Sequence, residues 1–189
     1  MPIDEKHLQE PTDINGINSI AAEKYHLLYN RIYKLKAVSL RMTNTFGPRH
    51  QMKHAKQGVL NWFIRKLIDG EKVQLFGDGS QIRDINYVSD VVEALLLAAK
   101  SKRTTGEAYN LGGSPMTLKL FVKSAIKVFG SGDFEVVKFP RERASIEIGN
   151  YVADIKKINN DLGWSPKVSI EEGLRKTIEY YQVNKKHYW

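Results

Sequence analysis

The chain has 189 residues, of which 42% are apolar and 26% charged, the balance of a globular domain with a sizeable core and at most a small second lobe. Its formal net charge of +8 directs attention to anionic partners, yet no run of five basic residues occurs, which argues for a solvated basic surface over nucleic-acid binding. The absence of cysteine excludes a disulfide framework, a thiol nucleophile and a zinc–thiolate site.

Residues 1 to 14 carry two prolines and several charges and read as an irregular lead-in. From about Asn15 to Tyr33, Ile17, Ala21, Tyr25, Leu28 and Ile32 recur at helical spacing, with Asp13 or Asn15 as the cap. Ala37 to Met42 is a short β-type run, and Asn44 to Arg49 its exit loop. A second helix carries the stripe Leu60, Phe63, Ile64, Leu67 and Ile68 and stops at Gly70. Val73 to Phe76 is a short apolar run that meets the turn Gly77-Asp78-Gly79-Ser80. Arg83 follows, and from Asp90 a helix runs to about Lys100. Glu107 to Leu111 is a strand ending in Gly112-Gly113, and Thr117 caps a helix with Leu118, Phe121, Val122, Ala125 and Phe129 on one face. Phe134 to Phe139 is extended, and Pro140 begins a charged loop. Asp154 to Leu162 is a short helix, and residues 169 to 183 form the last one, with Ile170, Leu174, Ile178 and Tyr181 inward. Strands alternating with helices define an α/β chain.

The stretch from Gln74 to Val92 concentrates the chemistry. It sets the Arg83 guanidinium between a tight turn and a helix start, beside the Phe76 ring. A guanidinium grips phosphate bidentately and keeps its charge, so the arrangement suits a phosphate and a planar base. The alternative reading is an ordinary hairpin with a surface arginine. His50 and His54 stand four apart in a Lys-rich polar segment, and none of the five histidines has H-E-x-x-H spacing, so no metal site is expected. No signal peptide and no apolar run of membrane-spanning length occurs, and a cytoplasmic location is the expectation. Nothing spells the G-x-G-x-x-G of a dinucleotide-binding turn. With a loop and a helix ahead of its first strand, the chain reads as the back portion of a larger α/β protein.

Six blocks in register cover nearly the whole chain. They are Pro2-Ile-Asp-Glu5 through Pro11; Ala21-Ala22-Glu23; Leu40-Arg41-x-x-Asn44-x-Phe46-Gly47-Pro48-Arg49; Phe76-Gly77-Asp78-Gly79-x-Gln81-x-Arg83-Asp84-x-x-Tyr87-Val88-x-Asp90; Tyr109 to Gly113; and Asp154 through Leu162-Gly163-Trp164-Ser165-Pro166. Together they resemble the carboxy-terminal half of the extended short-chain dehydrogenase/reductase family, the NAD-dependent nucleotide-sugar epimerases and dehydratases. The resemblance implies a Rossmann-like α/β fold without its Gly-rich amino-terminal half. Residues 1–57 would form the end of the Rossmann portion and 58–189 mostly the substrate-binding lobe. It also implies a nucleotide-diphospho-sugar pocket. Asn44 would stand beside the diphosphate or sugar, Gly58 and Val59 would bring backbone to the ligand, and Gln74 and Phe76 would flank the base. Arg83 would meet the phosphates or ribose, Asn110 would add a polar contact, and Arg143, or Arg141 in its place, would be a second diphosphate arginine. In the family the first helix makes a dimer contact, for which Ile17, Ile20, Tyr25 and Leu28 could supply apolar surface here.

The pattern breaks at the family's Tyr-x-x-x-Lys pair. There the lysine's charge lowers the tyrosine's pKa so that it can act as a base. Alignment on Ala21-Ala22-Glu23 places the pair at Asn15 and Ser19, neither of which can do this. Tyr181-x-x-x-Lys185 has the spacing but lies on the last helix. NAD is therefore expected for a full-length family member and not for this chain alone. Two readings stand: the nucleotide-sugar-binding portion of an epimerase or dehydratase, inactive in isolation, or a non-catalytic nucleotide-sugar-binding module.

Overall fold

A computed structural model describes residues 2–54 and 58–189, with the Arg143 side chain outside the description. Helix α1 spans Ile14–Tyr33. The Asp13 carboxylate starts it by accepting the Gly16 N–H at 2.7 Å. Strands β1 (Ser39–Met42) and β2 (Asn44–Phe46) follow, then α2 (Val59–Ile68), β3 (Val73–Phe76), β4 (Ile82–Tyr87) and α3 (Val88–Lys100). The second half contributes β5 (Ala108–Leu111), β6 (Ser114–Thr117), α4 (Leu118–Phe129), β7 (Phe134–Val137), α5 (Arg141–Ala144), α6 (Lys156–Leu162) and α7 (Ile170–Asn184). Thr117 and Ser169 cap α4 and α7 through their hydroxyls.

The strands form three small sheets. β1 pairs with β5 in parallel, and so does β3 with β7. β4 lies between β2, parallel to it, and β6, antiparallel. Two sequence expectations are corrected by this arrangement: Asn44 to Phe46 is a strand rather than part of an exit loop, and the segment opening at Pro140 contains a helical turn. Residues 82 to 87, which the sequence pattern assigned to no element, form a strand. β4 escapes a pattern reading because Arg83, Asp84 and Asn86 are all buried, so the strand does not alternate apolar with polar. Its carboxylate is satisfied from two directions: Asp84 accepts the N–H groups of Gly113 at 2.6 Å and Ala153 at 2.9 Å.

The main core gathers Leu60, Phe63, Ile64 and Leu67 of α2 with Phe46 of β2, Phe121 and Val122 of α4, and Leu174 and Ile178 of α7. A second cluster joins Val91 and Ala94 of α3 to Tyr109, Leu111, Ile158 and Trp164. Asp90 ties that cluster to the turn before α7, its carboxylate accepting the N–H groups of Lys167 and Val168 and its carbonyl the Trp164 indole N–H. In contrast, α1 leaves Ile14, Ile17, Tyr25 and Ile32 more than half exposed, and α3 leaves Val92, Leu95 and Leu96 uncovered.

Candidate functional site

The left-handed Gly58 (φ 70°) turns the chain into α2, and a Cβ there would lie 2.0 Å from Nε2 of His50, so the helix start sits directly on the imidazole. Val59, the first residue of α2, then opens onto a cavity of 780 Å³, a size typical of small-molecule sites. Trp62, Phe63 and Lys66 continue that wall one turn apart, β3 supplies Gln74 and Phe76, and β4 supplies Arg83. Phe139, Glu142, Ile146 and Glu147 close the side beyond β7. Phe76 and Phe139 meet with ring centroids 5.7 Å apart and planes tilted by 48°.

Arg83 is the charged centre of this wall. Its Nη1 donates to the carbonyls of Ile82 at 3.1 Å and Gly149 at 2.5 Å, and its Nη2 donates to Glu147 Oε1 at 2.5 Å. The group is thus aimed by backbone and balanced by one carboxylate. Lys66 pairs with Glu71 at 2.5 Å and lies 4.9 Å from the Trp62 ring centroid. The Gln74 amide donates to Glu135 at 2.9 Å, and the Gln81 amide to the Phe76 carbonyl at 3.2 Å. Both partners only accept, so each amide has its NH2 end fixed. Gln81 Oε1 is left buried with no partner among the described residues.

The structure thus brings Val59, Gln74, Phe76 and Arg83 to one cavity, with Gly58 setting its first helix. Asn44 and Asn110 do not join the lining. Asn44 opens β2 opposite Ile85. Asn110 holds the lead-in: its side chain donates to the Ile3 carbonyl and its backbone N–H to Glu5, both at 2.9 Å. Arg143 lies on α5, and its side chain is outside the described residues. Asn15 and Ser19 are exposed on α1, where the Ser19 hydroxyl is spent on the Asn15 carbonyl at 2.9 Å. Tyr181 and Lys185 serve different partners. The tyrosine hydroxyl accepts the His50 N–H at 2.9 Å, and the lysine ammonium bonds to Asp69. Burial pushes Tyr181 up to about 12, opposite to what a catalytic base needs. Trp62, Lys66, Gln81, Phe139 and Glu147 are site residues that the sequence reading missed. The Gln81 position was legible as part of the Arg83 block, whereas the others converge only through folding.

Among the described residues, the one adjacent glycine pair is packed shut. A Cβ at Gly112 would stand 2.7 Å from Asp84 Oδ2, and one at Gly113 would stand 1.9 Å from the Ile85 carbonyl oxygen. The pair therefore serves close packing against β4 and offers no room to a pyrophosphate. Among the described residues, no group able to hold a metal ion occurs and no helix is long and apolar enough to cross a membrane.

The described residues thus form an α/β framework whose wall of Arg83, Phe76 and Phe139 encloses a cavity. Residues 2–112 match the NAD dependent epimerase/dehydratase family, and the chain belongs to it. It is 34% identical over 187 residues to dTDP-D-glucose 4,6-dehydratase of Homo sapiens, a match that covers 96% of this chain and 51% of the relative. The structure of UDP-glucose 4-epimerase from Thermotoga maritima with UDP-glucose superposes with a TM-score of 0.85 at 33% identity, covering 98% of this chain and 58% of that one. For dTDP-glucose 4,6-dehydratase from Bacillus anthracis in complex with NAD the TM-score is 0.84 at 25% identity, with 98% and 57% covered. The chain spans little more than half the length of these relatives.

Proposed function

We propose that this chain is the nucleotide-diphospho-sugar-binding portion of an NAD-dependent sugar-nucleotide epimerase or dehydratase. The observation that carries the reading is the Arg83 guanidinium, held by two backbone carbonyls in the wall of a cavity that also presents Val59, Gln74 and the Phe76–Phe139 pair. A fixed guanidinium recognises a phosphoryl group through charge-assisted bonds, and flanking rings offer a planar base an apolar face. Asn44 and Arg143 complete the anionic subsite in this reading. Residues 1–57 supply the end of the Rossmann portion and 58–189 mostly the substrate-binding lobe. The solved relatives, one with UDP-glucose and one with NAD, support the ligand class.

In this reading NAD belongs to a Gly-rich half that these 189 residues do not contain, so the isolated chain neither binds NAD nor turns over substrate. The protein works in the cytoplasm, and the exposed face of α1 with Ile17, Tyr25 and Leu28 forms the homodimer contact. Asn15 and Ser19 favour a second reading, a non-catalytic nucleotide-sugar-binding module. A turnover assay on UDP- and dTDP-sugars with added NAD, using a chain joined to a Gly-rich half of the family, separates the two. Calorimetric titration with UDP, dTDP, GDP and CDP sugars and with NAD tests the binding claim. Sugar nucleotides should bind, and Arg83→Ala should weaken them by about 2 kcal/mol or more. Tight NAD binding by the 189-residue chain would overturn the proposal.

A further inference from the structure

Arg83 does not face the cavity as a bare cation. Its Nη2 is 2.5 Å from Glu147 Oε1, and the two side chains are only 11% and 24% exposed, so the pair is shielded from water. The same carboxylate oxygen also accepts the Gly149 N–H at 3.0 Å. The backbone on either side is anchored: Thr12 donates to the Ile146 carbonyl, Asn150 accepts the Ile82 N–H, and the Tyr151 N–H donates to the Ile82 carbonyl. Glu147 therefore reaches Arg83 from a fixed strap, and its side chain can leave by rotation while the strap stays in place.

We propose that Glu147 is the resident anion of this site, the carboxylate that an incoming phosphoryl group replaces on Arg83. The proposal rests on the nucleotide-sugar reading and deepens it by naming what the ligand must displace. Its consequence is selectivity. Exchanging one carboxylate for another at a single guanidinium gains nothing, whereas a pyrophosphate offers more oxygens to the guanidinium and to neighbouring donors. Weak carboxylate anions are thereby kept off a strongly basic protein while phosphoryl ligands enter.

The test titrates the chain with inorganic pyrophosphate, UDP and malonate at fixed ionic strength. Glu147→Gln retains the shape and the acceptor but removes the charge, and Glu147→Ala removes the group altogether. Both variants should bind pyrophosphate and UDP about fivefold more tightly than the wild type, and malonate, silent in the wild type, should become measurable. In an Arg83→Ala background the Glu147 substitutions should have no effect, a coupling that a purely structural role for Glu147 would not produce. Unchanged or weaker pyrophosphate binding by both Glu147 variants, with melting curves like the wild type, would overturn the proposal. If pyrophosphate behaves as expected but no sugar nucleotide binds, the exchange stands and the nucleotide-sugar reading fails.

Discussion

Arg41 holds Glu23 with both arms of its guanidinium, Nε to Oε2 and Nη2 to Oε1, each at 2.8 Å, and thereby fastens α1 to β1. The same carboxylate accepts from Gln9 at 3.2 Å and Ser39 at 3.3 Å, while Arg41 Nη1 reaches the Glu5 carbonyl at 3.0 Å. The knot joins the lead-in, the first helix and the first strand around a side chain only 5% exposed. Glu23→Ala leaves Arg41 partly buried without its counter-ion and should lower stability by about 3 kcal/mol, measured by denaturant unfolding.

The knot also sets a pH dependence. The Arg41 hydrogen bonds hold the Glu23 carboxyl below the ordinary glutamate range, against the opposing effect of burial. A carboxyl depressed on folding contributes stability that is complete above its unfolded value, about 4.3, and is lost as pH falls through the folded one. Unfolding midpoints followed from pH 7 to pH 3 should fall in that acidic window for the wild type, and less steeply for Glu23→Gln.

Asp84 is the corresponding pin on the cavity side. Replacing it with Ala strands the buried N–H groups of Gly113 and Ala153 and should lower stability by about 2 to 3 kcal/mol. The strap that carries Glu147 hangs from the same strand, so hydrogen exchange at residues 149–153 should accelerate in this variant.

Gly113→Ala tests the packing assigned to the glycine pair. The added Cβ meets the Ile85 carbonyl oxygen at 1.9 Å, and only backbone movement can relieve it. A loss of about 3 kcal/mol or more, or failure to fold, is the expected result in a thermal melt. A dinucleotide cradle would tolerate the protein's folding and lose only cofactor affinity.

Tyr181→Phe removes the acceptor for the His50 N–H and should lower stability by about 1 to 2 kcal/mol. It should leave sugar-nucleotide affinity nearly unchanged, because the hydroxyl faces the turn at Gly47–His50 and not the ligand cavity.

Helices were largely legible in the sequence because their starts are chemical and local. Asp13, one of the two caps the spacing offered, starts α1, and Thr117 caps α4 as expected. Strands β2, β4 and β6 were not, since Arg83, Asp84 and Asn86 become buried only once Glu147, Gly113 and Thr43 arrive from elsewhere in the chain. The site divides in the same way. Phe76 and Arg83 belong to a block readable along the chain. Glu147 lies 64 positions from its guanidinium. Asn110, a polar residue in a matching block, lies away from the cavity lining and holds the lead-in through Ile3 and Glu5.

The chain's three tryptophans occupy unequal surroundings. Trp164 is sealed at 1% exposure with its indole bonded to Asp90, whereas Trp62 stands in the cavity wall and shares Arg65 with Trp189, the guanidinium carbon lying 5.0 and 5.2 Å from the two ring centroids. An occupant of the cavity therefore perturbs one emitter directly and a second through the cation between them, while the third stays constant. Intrinsic fluorescence becomes a label-free gauge of occupancy that carries its own internal reference.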